Sequence, residues 1–253
     1  MFSLQVYYRF WTVSFILLLS IDVTAETVQV ATGEFPPWTS ESLPHGGYIN
    51  RVVSSAFELS GIEVKFHYLP WKRALEATKV GQFHASSFWG PNKNRQRDLY
   101  HSDIIETDSF VFFHKKSLPY FHWQRFTDLS IFRIGATRGY TYSEEFWNLA
   151  DNDRLRVSVA NNDLINLKRL IKDEIDLLPL SKLTGHYLLN KYFSKNESAE
   201  ITFNKKAINS GKDYILFSRA VPGNDRYLVL FNKGLKQLKI NNTLQKFRRE
   251  LSQ

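Results

Sequence analysis

The run Ser86 to Ser102, SSFWGPNKNRQRDLYHS, concentrates side chains that could grip an anion. An apolar strand end gives way at Gly90-Pro91-Asn92 to a polar stretch carrying Arg95 and Arg97. A guanidinium just beyond a strand end can meet a carboxylate with two parallel hydrogen bonds. Phe88 and Trp89 beside it could wall that contact off from water. The competing reading is a solvated basic loop, the usual fate of a charge run. A second anion-binding stretch is Arg138-Gly139-Tyr140-Thr141-Tyr142-Ser143, which leads into a helix containing Glu144, Phe146 and Trp147. A hydroxyl-rich turn at a helix N-terminus offers free backbone N–H groups to an anion. Thr141 or Ser143 could equally serve as an ordinary helix cap.

Signals for covalent or metal chemistry are absent from the sequence. It has no cysteine, which removes thiol catalysis, disulfides and cysteine-ligated zinc together. The 7 histidines are scattered, without metal-ligand spacing or an H-E-x-x-H motif. There is no G-x-S-x-G and no glycine-rich phosphate loop with a lysine. No cofactor is implied. The net charge of +8 invites a nucleic-acid reading. The lysines and arginines are spread along the chain, however, with no nucleic-acid motif, so a basic face instead suits anionic ligands or an anionic membrane surface.

The elements that must position these groups alternate. Thr27 to Ala31 reads as a strand and runs into a proline-broken loop, Gly33 to Trp38, which can be neither helix nor central strand. Ile49, Val52, Val53, Ala56 and Phe57 recur at helical spacing, and Gly61 is placed to stop that helix. Val64 to Tyr68 alternates as a strand, Trp71 opens a second helix ending near Gly81, and His84 to Trp89 is a third strand. Ser109 to Phe113 reads as a buried strand leading to a second unit: strands at Ile131–Ala136, Leu155–Val159 and Ile175–Leu180, with helices between. A strand at Tyr214–Ser218 and two amphipathic helices complete the chain. Strands alternating with helices predict a wound α/β sheet, with ligands beyond the carboxyl ends of strands, where Phe35 and Arg95 both fall.

The run from Arg95 through Tyr100-His101-Ser102 to Lys115-Lys116 resembles the arginine-to-"F-S-x-P" segment of family 3 extracellular solute-binding proteins, the periplasmic amino acid receptors of ABC importers. The resemblance extends over nearly all of the chain from Glu26 to Gln253, mostly as pattern. It implies a two-lobed α/β, type II periplasmic binding protein-like fold with hinge strands between lobes. It also implies that Arg95 holds a ligand carboxylate, opposed by the turn with Tyr140 and Thr141. Phe35 and Trp38, in the loop matching the family's "y-P-P-f", would pack over the ligand, or plug the end of a lobe. Trp71 and Phe88 complete the aromatic cover. Asp176 reads as structural. Ser181 stands where such receptors carry an aspartate for the ligand ammonium, which leaves recognition of an α-amino group open. The same fold hosts enzymes, including cyclohexadienyl dehydratases, that need a carboxyl group in the cleft. Glu34 is the candidate here, and a solvated Glu34 is the alternative.

Arg9, an apolar run from Phe10 to Ile21 and Val23-Thr24-Ala25 read as a secretory leader cleaved after Ala25, with an uncleaved anchor as the alternative. The expected division is 1–25 leader, 26–113 with 214–253 as the first lobe, and 114–213 as the second. The expected function is capture of a small carboxylate-bearing ligand, an amino acid or analogue, by a monomeric periplasmic receptor rather than an enzyme. Its partner would be an inner-membrane ABC permease, and it would bind no nucleic acid. An orphan or sensory ligand-binding protein is the alternative, followed by an enzyme on the same scaffold.

Overall fold

The computed structural model describes residues 26–119 and 121–251, so the leader expected at residues 1–25 lies outside the described residues. The chain begins with strand β1 (Thr27–Thr32), whose alternate residues Val28 and Val30 are fully buried. Helix α1 (Tyr48–Glu58) buries one face through Ile49, Val52, Val53, Ala56 and Phe57, as its 3.6-residue spacing requires. Strand β2 (Glu63–Tyr68), helix α2 (Trp71–Lys79) and strand β3 (Ala85–Trp89) follow. Both β2 and β3 lie parallel to β1. A short strand β4 (Leu99–His101) then precedes β5 (Glu106–Lys115).

The second unit contains strand β6 (Arg133–Thr137), helix α3 (Glu144–Asp151), strand β7 (Arg156–Ala160) and helix α4 (Asp163–Ile171). Strand β8 (Leu178–Ser181) and helices α5 (Lys182–Tyr192) and α6 (Lys195–Glu200) complete it. Asp176 has the structural role expected of it, gripping Arg133 through both carboxylate oxygens at 3.1 and 2.6 Å. Strand β9 (Ile201–Ser218) returns, and helices α7 (Asn224–Ile240) and α8 (Thr243–Glu250) close the chain.

The main sheet runs β2-β1-β3-β9-β5-β8, with β4 also on β9, while β6 and β7 form a parallel pair tied to the start of β8 by Ile134 and Leu177. Among the described residues, β5 and β9 link the two halves of the fold. The C-terminal end of β9 pairs with β3 and β4, and its longer N-terminal part pairs with β5. Two-residue alternation on β5 directs neighbouring rings to opposite faces. Phe112 enters a core with Trp123, Leu129, Ile134 and Phe146, whereas Phe113 joins Leu167, Leu170 and Leu188 in the other core.

The strand read at Ser109–Phe113 is longer than expected, and so is that at Tyr214–Ser218, which begins at Ile201. Polar residues such as Asn204, Lys205 and Lys206 broke the apolar pattern there, but pairing with β5 decides the backbone. No helix among the described residues is long and apolar enough to cross a membrane.

Candidate functional site

Arg95 stands in a short 3₁₀ turn, Lys93–Arg97, started by Asn92, whose side chain accepts from the Asn94 N–H at 2.9 Å. The turn directs Arg95 inward and Arg97 outward. Arg95 is only 8% exposed, whereas Arg97 is exposed beside Asp98. The solvated-loop reading therefore holds for Arg97 and fails for Arg95. The Arg95 guanidinium donates to the Gly90 carbonyl at 3.2 Å and to Thr141 Oγ1 at 2.9 Å, and lies 4.7 Å from the Trp89 ring centre. All three are neutral. Burial lowers its pKa to about 10, against the opposing pull of Glu76, so it stays a cation at neutral pH. Among the described residues it has no carboxylate within ion-pair distance.

Thr141 belongs to the turn between β6 and α3. Capping of α3 falls to Ser143, whose Oγ accepts from the Phe146 N–H at 3.0 Å. That leaves Thr141 free to face Arg95. Gly139 makes the approach possible: its φ is +86°, and a Cβ there would sit 3.3 Å from the Trp71 Cβ and the Lys72 nitrogen.

The aromatic side chains expected at the site do gather there. Phe35 stacks on Phe110 at 6.0 Å and meets Tyr140 edge-on at 5.4 Å and Phe88 at 6.4 Å. Trp38 is buried against Phe88 and Tyr48, and Trp71 meets Trp89 edge-on at 5.2 Å. The Tyr140 hydroxyl donates to Asp163 Oδ2 at 2.7 Å, and the Thr137 hydroxyl donates to the other oxygen. Asp163 is thus a positioning residue for Tyr140, and its burial raises its pKa to about 6.

Ser181 is fully buried at the end of β8. It accepts from the Trp38 indole N–H at 3.2 Å and donates to Asp108 Oδ1 at 3.1 Å. The carboxyl group beside Ser181 is thus that of Asp108, from β5. Sequence reasoning missed Asp108, and with it Asp213 on β9; both are buried. Each stands immediately before an apolar run, Asp108 before Ser109–Phe113 and Asp213 before Tyr214–Ser218, and only strand register brings them together. Glu34, by contrast, is exposed and accepts from the Glu41 N–H, so it is not the cleft carboxyl group.

No family model matches the chain, and no curated protein matches it. Solved structures do. A histidine kinase sensor domain with similarity to periplasmic binding proteins superposes with a TM-score of 0.76 at 16% identity, covering 90% of this chain and 96% of that one. The substrate-binding protein of an amino acid ABC transporter gives 0.73 at 16% identity, covering 89% and 98%. An ancestral amino acid-binding protein, a precursor of cyclohexadienyl dehydratase, gives 0.71 at 16% identity, covering 89% and 95%. At such identities the likeness establishes architecture. The chain has the two-lobed α/β fold of periplasmic solute-binding proteins, the fold of amino acid receptors that serve ABC importers.

Proposed function

We propose that this chain is a periplasmic receptor that captures a small carboxylate-bearing solute, an amino acid or close analogue, for an ABC importer. In this reading the leader is removed after Ala25 and the mature protein is a monomer. Residues 26–113 and 214–253 form one lobe and 114–213 the other. The lobes close about β5 and β9. Arg95 and Thr141 clasp the carboxylate from opposite sides, and Phe35, Trp38, Trp71, Phe88 and Tyr140 enclose the rest. Ser181 holds Trp38 in place.

One observation carries the reading: a buried arginine in the turn after β3 contacts a threonine in the turn after β6 and has only neutral partners. Burying a cation without an anion is costly, so the site favours a ligand that brings one. Its test is a thermal-shift screen of amino acids, organic acids and small oligosaccharide fragments. A carboxylate-bearing hit at about 100 times its Kd should raise the melting temperature by about 5–10 °C. The same hit at the same concentration should raise Arg95→Ala by no more than about 3 °C. Stabilisation by neutral sugars alone would sink the reading.

The likeness to a kinase sensor domain supports one second reading, a receptor that reports the same ligand to a signalling partner. Uptake of labelled ligand that persists when the gene is deleted would favour it.

A further inference from the structure

The face of the β5–β9 ribbon that presents Phe110 to Phe35 also carries buried acceptors with nothing to accept. Register pairs Phe110 with Asn209, Asp108 with Gly211 and Glu106 with Asp213. Two-residue alternation therefore places all six on one face, together with Ser181 opposite Phe110. On that face Asp108 Oδ2, Asp213 Oδ2 and Asn209 Oδ1 are buried without a hydrogen-bond partner. Asp108 and Asp213 are only 7% and 8% exposed.

Two glycines leave space around them. A Cβ on Gly211 would come no closer than 3.6 Å to the Asp108 carbonyl and 3.8 Å to Asp213, and one on Gly90 would meet only Asp213 Oδ1, at 3.8 Å. The charged groups facing Asp108 are Glu106 and Arg248, and those facing Asp213 are Asp108 and Glu106. Arg248 is engaged by Glu106, so neither aspartate has a cation of its own. Beyond Gly90 the imbalance reverses, because Arg95 holds that residue's carbonyl and lacks an anion. A cation without an anion and Asp213, an acid without a cation, thus border the same glycine.

We propose that Asp108 and Asp213 receive the protonated primary amine of the ligand whose carboxylate Arg95 takes, which makes the site select amino acids over plain carboxylic acids. This rests on the receptor reading above. A compact ammonium with three donors can bridge two carboxylates. In the empty protein the pair relieves itself with a proton. Burial raises Asp108 to about 6 and Asp213 to about 8, the latter also through the charge of Asp108. At pH 7 the pair holds about one proton, which an arriving ammonium displaces to the buffer.

The experiment takes the amino acid that gives the strongest thermal shift and its des-amino acid, for example glutamate with glutarate or phenylalanine with 3-phenylpropanoate. Both are titrated calorimetrically at pH 7 in two buffers of different ionisation enthalpy. Wild type should bind the amino acid about 100-fold or more tightly than its partner and release about one proton. Asp213→Asn should bind both within several-fold and release none, while Arg95→Ala should weaken both. Equal affinity of wild type for the two overturns this assignment and leaves the carboxylate reading standing. Discrimination retained by a folded Asp213→Asn also overturns it, and binding of neither compound overturns both readings. Should Asp213→Asn not fold, proton release by wild type decides, and a value of zero contradicts the proposal.

Discussion

The two charged ends of the site are built in opposite ways. The cationic end is local: one turn after β3 carries Arg95, the Gly90 carbonyl and the Trp89 ring, and only Thr141 comes from elsewhere. The acidic end depends on register, because Asp108 and Asp213 are distant in sequence and meet only where β5 pairs with β9. They also tolerate an empty site differently. A carboxyl group can take up a proton when burial makes its charge expensive, but a guanidinium cannot lose one. The acidic end can therefore wait with one shared proton and half of its charge removed, whereas Arg95 must wait as a cation supported by neutral contacts.

Three comparisons would break or sharpen this contrast. The largest effect belongs to Arg95→Ala. Losing one member of a desolvated charge pair costs about 2–5 kcal/mol, so affinity for the hit should fall about 30-fold to several thousand-fold. Arg97→Ala, in the same turn but exposed, should stay within several-fold. Calorimetric titration of both, with circular dichroism to verify folding, checks this.

Next in size is a pH effect on stability. Asp108, Asp163 and Asp213 all lie above their ordinary value of 3.8, at about 6, 6 and 8. Between those values the folded state holds protons that the unfolded chain has released. Their contribution is full below about pH 4 and is lost as pH rises through about 6 and 8. Asp213→Asn should remove the upper part of that loss and stabilise the empty protein at pH 8.5 by about 1–3 kcal/mol. Urea midpoints at pH 5 and pH 8.5 decide it, and parallel profiles for the two proteins would contradict the buried-acid account.

The smallest effects separate two neighbouring hydroxyls. Ser143→Ala should cost about 1 kcal/mol of stability through loss of the α3 cap and leave ligand affinity unchanged. Thr141→Ala should weaken binding about tenfold through loss of one hydrogen bond to the ligand, and should also cost about 1 kcal/mol of stability because buried Arg95 loses a neutral acceptor. Melting and titration of the pair check both halves of the contrast.

The cationic end was partly legible because its evidence is local: two arginines a few residues past a strand end, with aromatic neighbours, between which the family resemblance chose Arg95. The helices were legible too, since Ile49 to Phe57 and Leu164 to Ile171 carry their burial pattern in their own spacing. Sequence left the role of Thr141 open between capping and binding, because either hydroxyl of the turn could reach the first N–H groups of α3. The geometry gives the cap to Ser143. The acidic end was not legible. Each aspartate taken singly is a polar residue in a strand, and its partner is known only when register is known. The same limit hid the first half of β9, where Asn204, Lys205 and Lys206 form an irregularity between Phe203 and Ala207, both of which pair with β5.

The most direct measurement of the central claim asks whether the buried cation needs an anion from the ligand. The amino acid that most stabilises the wild-type protein is compared with its own carboxamide, which keeps the amine and side chain but carries no charge at the acid end. Melting curves at matched saturating concentrations should show stabilisation by the acid of about 5–10 °C and by the amide of less than about 2 °C. Equal stabilisation by the two would mean that Arg95 does not hold a ligand carboxylate, and the site would have to be reassigned.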